Sequence, residues 1–152
     1  MLYRCIYAST LSPTIGDDAV FGLLSQIEEQ SARNNARMKL SGILLSFDRH
    51  FMQVLEGSNR SISTLISTLC GDPRHTDMLL IELVAVERRV FPEWTMKWAP
   101  VKRRPDFAAS AWNPDKLTAQ AILSLAKSVR AGLRTRSEKP AANPTHAEVY
   151  LD

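Results

Sequence analysis

The chain has 152 residues, 45% hydrophobic and 23% charged, the make-up of one globular domain with a real core. No apolar run approaches the roughly 20 residues of a spanning helix, and Met1-Leu2-Tyr3-Arg4-Cys5 does not lead a basic region into an apolar signal core, so a cytoplasmic protein without a membrane segment is expected. The net charge of +3 divides unevenly: residues 1–100 hold ten Lys/Arg and eleven Asp/Glu (−1), residues 101–152 nine and five (+4), and a solvated basic face is a commoner reading of such a patch than nucleic-acid binding.

Residues 2–9 alternate as a strand, with Tyr3, Cys5, Tyr7 and Ser9 on one face and Arg4, Ile6 and Ala8 on the other. Pro13 and Gly16 close it, and Asp17 or Asp18 starts a helix over about 17–34 whose stripe runs Phe21, Leu24, Ile27, Ser31 and Asn34 or Asn35. Runs 40–47 and 50–57 are strands joined by Asp48-Arg49, a hairpin. Ser58 or Asn59 caps a second helix carrying Ile62, Leu65, Ile66 and Leu69, ended by Gly71 and Pro73. Met78–Val86 is an apolar strand broken by Glu82. After Pro92, alternation over Trp94–Trp98 predicts a last strand that places Trp94, Met96 and Trp98 together. The order β-α-β-β-α-β plus one strand predicts an α+β, ferredoxin-like sheet with two helices on one face, filling residues 1–100. Residues 101–134 then form a basic linker, Val101-Lys102-Arg103-Arg104, and a helix from Asn113-Pro114 to about Leu133 with Leu117, Ala121, Leu125 and Val129 on one stripe. Residues 135–152, with Pro140 and Pro144 and little to bury, are expected to be a disordered tail. Cys5 and Cys70 lack a metal-ligand spacing and are expected to be buried small hydrophobes, and no metal site is indicated.

Gln53 is the informative exception to this pattern. In Phe51-Met52-Gln53-Val54-Leu55-Glu56-Gly57 it shares a strand face with Phe51 and Leu55, and a face that buries those two buries the amide as well. A buried primary amide must find hydrogen-bond partners. Gly-rich phosphate loops, paired histidines and nucleophile elbows are all absent from the sequence, and Asp17, Asp18, Glu28 and Glu29 read as helix-terminus and surface charges. What remains is a group drawn from separate elements: Tyr7, Asn35, Gln53, Trp94 and Met96. Taken singly, Tyr7 reads as a core or rim residue, Asn35 as a helix C-cap, and Trp94 and Met96 as sheet packing.

Five segments together carry a resemblance: residues 2–9, Asn34-Asn35-Ala36-Arg37 with Leu40-Ser41-Gly42-Ile43-Leu44-Leu45, residues 51–57, Asp72-Pro73-Arg74-His75, and Arg88-Arg89-Val90-Phe91-Pro92-Glu93-Trp94-Thr95-Met96. In order and spacing, over residues 2 to about 98, they resemble the BLUF domain, a blue-light sensor that uses flavin. The resemblance implies a non-covalent flavin, usually FAD with FMN or riboflavin as alternatives, held between the two helices. By it, Tyr7 is the photoactive phenol, Gln53 the switching amide and Asn35 the group on the ring's pyrimidine edge. Trp94 and Met96 correspond to the pair whose inward or outward placement varies. Ser31, Asn34, Asp72, Arg74 and His75 align with positions near the ring, ribityl or phosphate end. Ser41 stands where many members have threonine.

The chemistry suits those roles. An asparagine amide offers a donor and an acceptor in one plane, as an edge of alternating carbonyls and N–H requires, and a glutamine can exchange donor and acceptor by rotating or tautomerising. About 50 residues follow the sheet, too few for a catalytic output domain, so a non-enzymatic photoreceptor is expected that signals to a separate protein and forms a homo-oligomer. The alternative is a cofactor-free ferredoxin-like module that binds nucleic acid or an acidic protein through its basic C-terminal third.

Overall fold

A computed structural model describes residues 1–102 and 112–137. Strand β1 (Leu2–Leu11) runs into a 3-10 turn at Asp17–Ala19 and helix α1 (Val20–Arg37). Then come β2 (Ser41–Phe47), β3 (His50–Ser58), α2 (Asn59–Cys70), β4 (His75–Val86) and β5 (Lys97–Pro100), and after a 3-10 turn at Pro114–Lys116, helix α3 (Ala119–Ser137).

The five strands form one sheet in the order β4-β1-β3-β2-β5, antiparallel throughout except for the parallel pair β2/β5. This is the predicted α+β, ferredoxin-like arrangement with a fifth strand. Its local causes are legible. Asp48 takes the left-handed conformation (φ 52°) that a short polar side chain tolerates, which closes the two-residue turn and sets the register Phe47↔His50. Arg49 then reaches back to the Ser12 and Ile15 carbonyls (2.8 and 2.7 Å) and to Asp17 (2.6 Å), tying the β1–α1 connection to the hairpin. Ser58 caps α2 by accepting from Ser61 N at 3.1 Å. Lys39, at φ 55°, turns the chain out of α1 into β2.

Both faces of the sheet are covered. On one, α1 and α2 enclose Cys5, Tyr7, Leu24, Leu44, Phe51, Leu55 and Met96. On the other, Ile122, Ala126 and Val129 of α3, with Leu117 just before it, are buried against Ile6, Ile43, Leu45 and Val54. Every residue of β2 is therefore buried, and its Ser-Gly-Ile-Leu-Leu-Ser-Phe run does not alternate.

Several expectations need correction. The last strand begins at Lys97, not Trp94: residues 91–96 form an irregular connection, which puts Trp94 in the α3-side core while Met96 and Trp98 lie on the other face. The first helix starts with a 3-10 turn and reaches Arg37. The helix expected over 113–133 begins as the Pro114–Lys116 turn, becomes α-helical only at Ala119, and continues into the segment read as tail; its buried stripe is Ile122, Ala126 and Val129, one position on from Ala121 and Leu125. Cys70 is exposed, with its Sγ 3.9 Å from Met78 Sδ, whereas Cys5 is buried. Most of the expected linker (103–111) and of the tail (138–152) lies outside the described residues.

Candidate functional site

Sheet register builds the site. Tyr7 on β1 lies opposite Gln53 on β3, Gln53 opposite Leu44 on β2, and Leu44 beside Trp98 on β5. Opposed residues point to the same face, so these four form a row beneath α1 and α2. There Tyr7, Gln53 and Leu44 floor a cleft, partly open to solvent, with Ile27 and Ser31 of α1 on one wall, Leu65 and Leu69 of α2 on the other, and Asp72, Arg74 and His75 at one end.

The centre of the cleft is a chain of three side chains. The Tyr7 hydroxyl donates to Gln53 Oε1, and Gln53 Nε2 donates to Met96 Sδ at 3.3 Å. All three residues are buried. The two bonds are unequal, since a thioether sulfur is a weak acceptor. The amide is thus firmly held at its oxygen and loosely at its nitrogen. Desolvation is the main cause that pushes the Tyr7 phenol far above its ordinary value of 10, with Cys5 and Asp72 adding in the same direction, so the hydroxyl is a proton donor in the resting protein.

At the end of the cleft, Asp72 and Arg74 satisfy each other: the guanidinium binds the carboxylate at 2.6 Å (Nη2) and at 2.9 and 3.0 Å (Nε), and the Arg74 backbone N–H donates to it at 2.9 Å. Hydrogen bonding to Arg74 holds the Asp72 carboxyl below its ordinary value, and the same bond raises Arg74. His75 Nε2 lies 2.7 Å from the Leu69 carbonyl, which can only accept, so that nitrogen carries the proton.

Asn35 sits behind the cleft wall. It is fully buried one turn beyond Ser31, donates from Nδ2 to the Thr95 carbonyl at 2.7 Å, and leaves Oδ1 without a partner. Ser9 Oγ, on the cleft floor two residues from Tyr7, is also buried and unpartnered. Orphaned buried oxygens are uncommon in proteins and call for a partner. Ser9 Oγ and the Gln53 amide, between apolar walls, fit a flat heteroaromatic ring that carries both donors and acceptors on its edge, which is the chemistry of a flavin, and the buried Asn35 Oδ1 adds an acceptor one turn beyond Ser31.

Tyr7, Ser31, Gln53, Asp72, Arg74, His75 and Met96 are therefore brought to one cleft. Asn35 is buried one turn further along α1, outside the residues that line it, and two others stand apart. Asn34 is exposed and lines a separate groove with Arg37 and Thr68. Trp94 stacks on Phe91 (centroids 6.1 Å apart, planes at 10°) on the α3 side. Ser9 was missed, although strand alternation places it on the Tyr7 face. Glu56 was missed too: it is fully buried on the opposite face of β3, where its carboxylate accepts from Val90 N (2.8 and 3.0 Å) and Phe91 N (2.9 Å). Among the described residues no cluster of His, Cys, Asp or Glu could hold a metal ion, and no helix is long and apolar enough to cross a membrane.

Comparison with known proteins points the same way as the geometry. A family model described as sensors of blue light using FAD matches residues 2–97. The photoactivated adenylate cyclase subunit beta of Euglena gracilis is 36% identical over 74 residues, 48% of this chain. The blue light- and temperature-regulated antirepressor BluF of Escherichia coli is 32% identical over 79 residues, 52% of this chain. The match spans only 9% of the length of the first and 19% of the second. Among solved structures, BlrB, a BLUF protein in its dark state, superimposes with a TM-score of 0.67 at 27% identity, covering 86% of this chain and 96% of that one.

Proposed function

The chain belongs to the BLUF family of blue-light sensors that use FAD, and from that premise we propose that it is a photoreceptor whose switch is Gln53, oxidised at Tyr7 and read out by contact with another protein. The family binds flavin; FAD is the form proposed here, with Tyr7, Ser31, Asn35, Gln53, Asp72, Arg74 and His75 holding it. When bound, the flavin supplies blue-light absorption and an electron-accepting excited state.

The buried chain Tyr7–Gln53–Met96 is the observation that carries this reading. Tyr7 keeps its proton at rest because its surroundings penalise the phenolate. Loss of an electron makes the phenol strongly acidic, and its hydrogen bond leads only to Gln53 Oε1, so the proton leaves along that bond. An amide protonated at oxygen can turn its nitrogen toward the tyrosine oxygen and return a proton there once the electron comes back, which restores the phenol and leaves the amide as its tautomer. It can also return the proton from oxygen and end rotated, with Nε2 presented to the tyrosine oxygen. Either way the bond to Met96 Sδ is the weak one that gives. Met96 stands at the entry to β5, and β5 pairs with β2 at the sheet edge, so a change at Gln53 reaches the edge strand in one step.

No enzymatic turnover is proposed for this chain. Its relatives are named for different outputs, a cyclase and an antirepressor, and here a separate signalling protein is the proposed recipient, with a homo-oligomer as the signalling form. Purified protein mixed with FAD should become yellow after removal of free flavin and show a small, reversible red shift of the flavin band under blue light. Protein that stays colourless at saturating flavin would overturn the proposal.

A further inference from the structure

The segment 90–96, which joins β4 to β5, touches both sides of the sheet. From the cleft side, Asn35 Nδ2 bonds the Thr95 carbonyl and Gln53 Nε2 bonds Met96 Sδ. At the β2 edge, Gly42 N donates to the Trp94 carbonyl at 2.9 Å. From the α3 side, the corner Val90–Phe91 is held twice. The Glu56 carboxylate accepts both of its backbone N–H groups. Arg130 of α3 donates to the Val90 carbonyl, lies over the Phe91 ring (5.2 Å to the centroid) and stands 4.0 Å from Glu93, which Arg134 also binds at 2.9 Å.

The placement of Glu56 is unusual for a merely structural residue. A carboxylate with no exposed surface is costly to bury, and its side chain is satisfied here by backbone donors of a single irregular segment. Gln53 and Glu56 sit three residues apart on opposite faces of β3, so one strand carries both the switch and the grip on the segment that supplies the switch's weak partner.

We propose that Glu56 is a positioning residue for the switch: its carboxylate from the sheet and Arg130 from α3 grip the Val90–Phe91 corner and thereby fix where Met96 stands against Gln53. The inference rests on the photoreceptor reading for its kinetic consequence but not for its structural one. Coupling is reciprocal, so whatever loosens α3 changes the photocycle, and light in turn changes the docking of α3.

The test uses Glu56→Gln, Glu56→Leu and Arg130→Met in the full chain. In flavin-free protein, the Met96 methyl NMR resonance, assigned through Met96→Leu, should move in Glu56→Leu and Arg130→Met, and Gly42 amide exchange should speed up. In flavin-loaded protein, dark recovery should be faster by about fivefold or more, a barrier change of about 1 kcal/mol. Glu56→Gln, which keeps one acceptor oxygen, should fall between wild type and Glu56→Leu. If Glu56→Leu does not fold, Arg130→Met decides alone, because Arg130 is only half-buried. A Met96 resonance that does not move in flavin-free Arg130→Met overturns the grip whatever the photocycle does. A moved resonance with wild-type recovery overturns its role in the switch. A wild-type protein that binds flavin but has no photocycle counts against the photoreceptor reading, and the flavin-free resonance still settles the grip.

Discussion

At the residue scale, the cleft depends on which atom of each side chain faces which. Tyr7 is the one phenol bonded to the amide, so Tyr7→Phe, which keeps the ring on the cleft floor, should retain flavin and give no lasting light-induced shift, checked by flavin content and illumination of the same sample. The same buried phenol sets an alkaline limit on the fold. Its folded pKa is raised, so its contribution is complete below the unfolded value of about 10 and is lost as pH climbs from there. Cys5, pushed up to about 11 chiefly by burial, acts in the same direction from its ordinary 9. Chemical denaturation of flavin-free protein between pH 9 and 11 should therefore show stability falling with pH, less steeply in Tyr7→Phe. Equal slopes would mean that Tyr7 ionises as readily in the fold as outside it. The strand faces that Gln53 and Tyr7 occupy were legible from alternation, whereas Tyr7 taken singly read as a core or rim residue and only the resemblance joined the two. The partnerless oxygen of Asn35 was not legible, because only the tertiary path of Thr95 decides which end of that amide is used.

At the element scale, most of the chain announced itself. The hairpin, the Ser58 cap and the succession of strands and helices along the chain follow from local residue chemistry that the sheet does not override. The failures share a cause. Trp94–Trp98 alternates as a strand should, yet Glu56 and Arg89 engage the connection before it: Arg89 binds Ser41 Oγ and the Glu56 and Lys39 carbonyls at 2.6–2.8 Å, and pairing starts only at Lys97. Those bonds join residues 33 to 50 positions apart, which no local window can see. Backbone spacing has its own signature at Gly42, where an added Cβ would stand 2.0 Å from the Val54 carbonyl oxygen and 3.2 Å from Leu55 Cα, both on the strand that carries Gln53. Gly42→Ala should cost about 1–3 kcal/mol, read as a lower denaturation midpoint, because β3 must shift to admit the methyl. A variant as stable as wild type would show that β2 and β3 are less closely apposed than described.

At the scale of the whole molecule, the sheet is a partition between two differently used cores. The α1/α2 side holds polar side chains in a cleft; the α3 side is packed with aliphatic residues and pinned at its end by Arg130 and Arg134 on Glu93. The positive charge that composition assigned to the C-terminal third is thus partly engaged within the fold. Ile122→Ala tests the docking of α3: alanine is the better helix former, so an undocked helix would lose nothing, whereas the fully buried Ile122 should cost about 2–5 kcal/mol. Thermal melting reads the difference. That a helix would follow the sheet was evident from Asn113-Pro114 and the spacing after it. Its true buried stripe was not, because Ala121 and Leu125 keep helical spacing with Leu117 and Val129 as well as Ile122 and Ala126 do, and only the opposing sheet selects between them. The account as a whole turns on Gln53, and a light-minus-dark absorption spectrum of flavin-loaded protein, wild type beside Gln53→Ala, tests it most directly. A red shift that reverts in the dark for wild type and is absent from Gln53→Ala is the predicted result; a flavin-loaded wild type that does not shift, or a variant that shifts as wild type does, would contradict it.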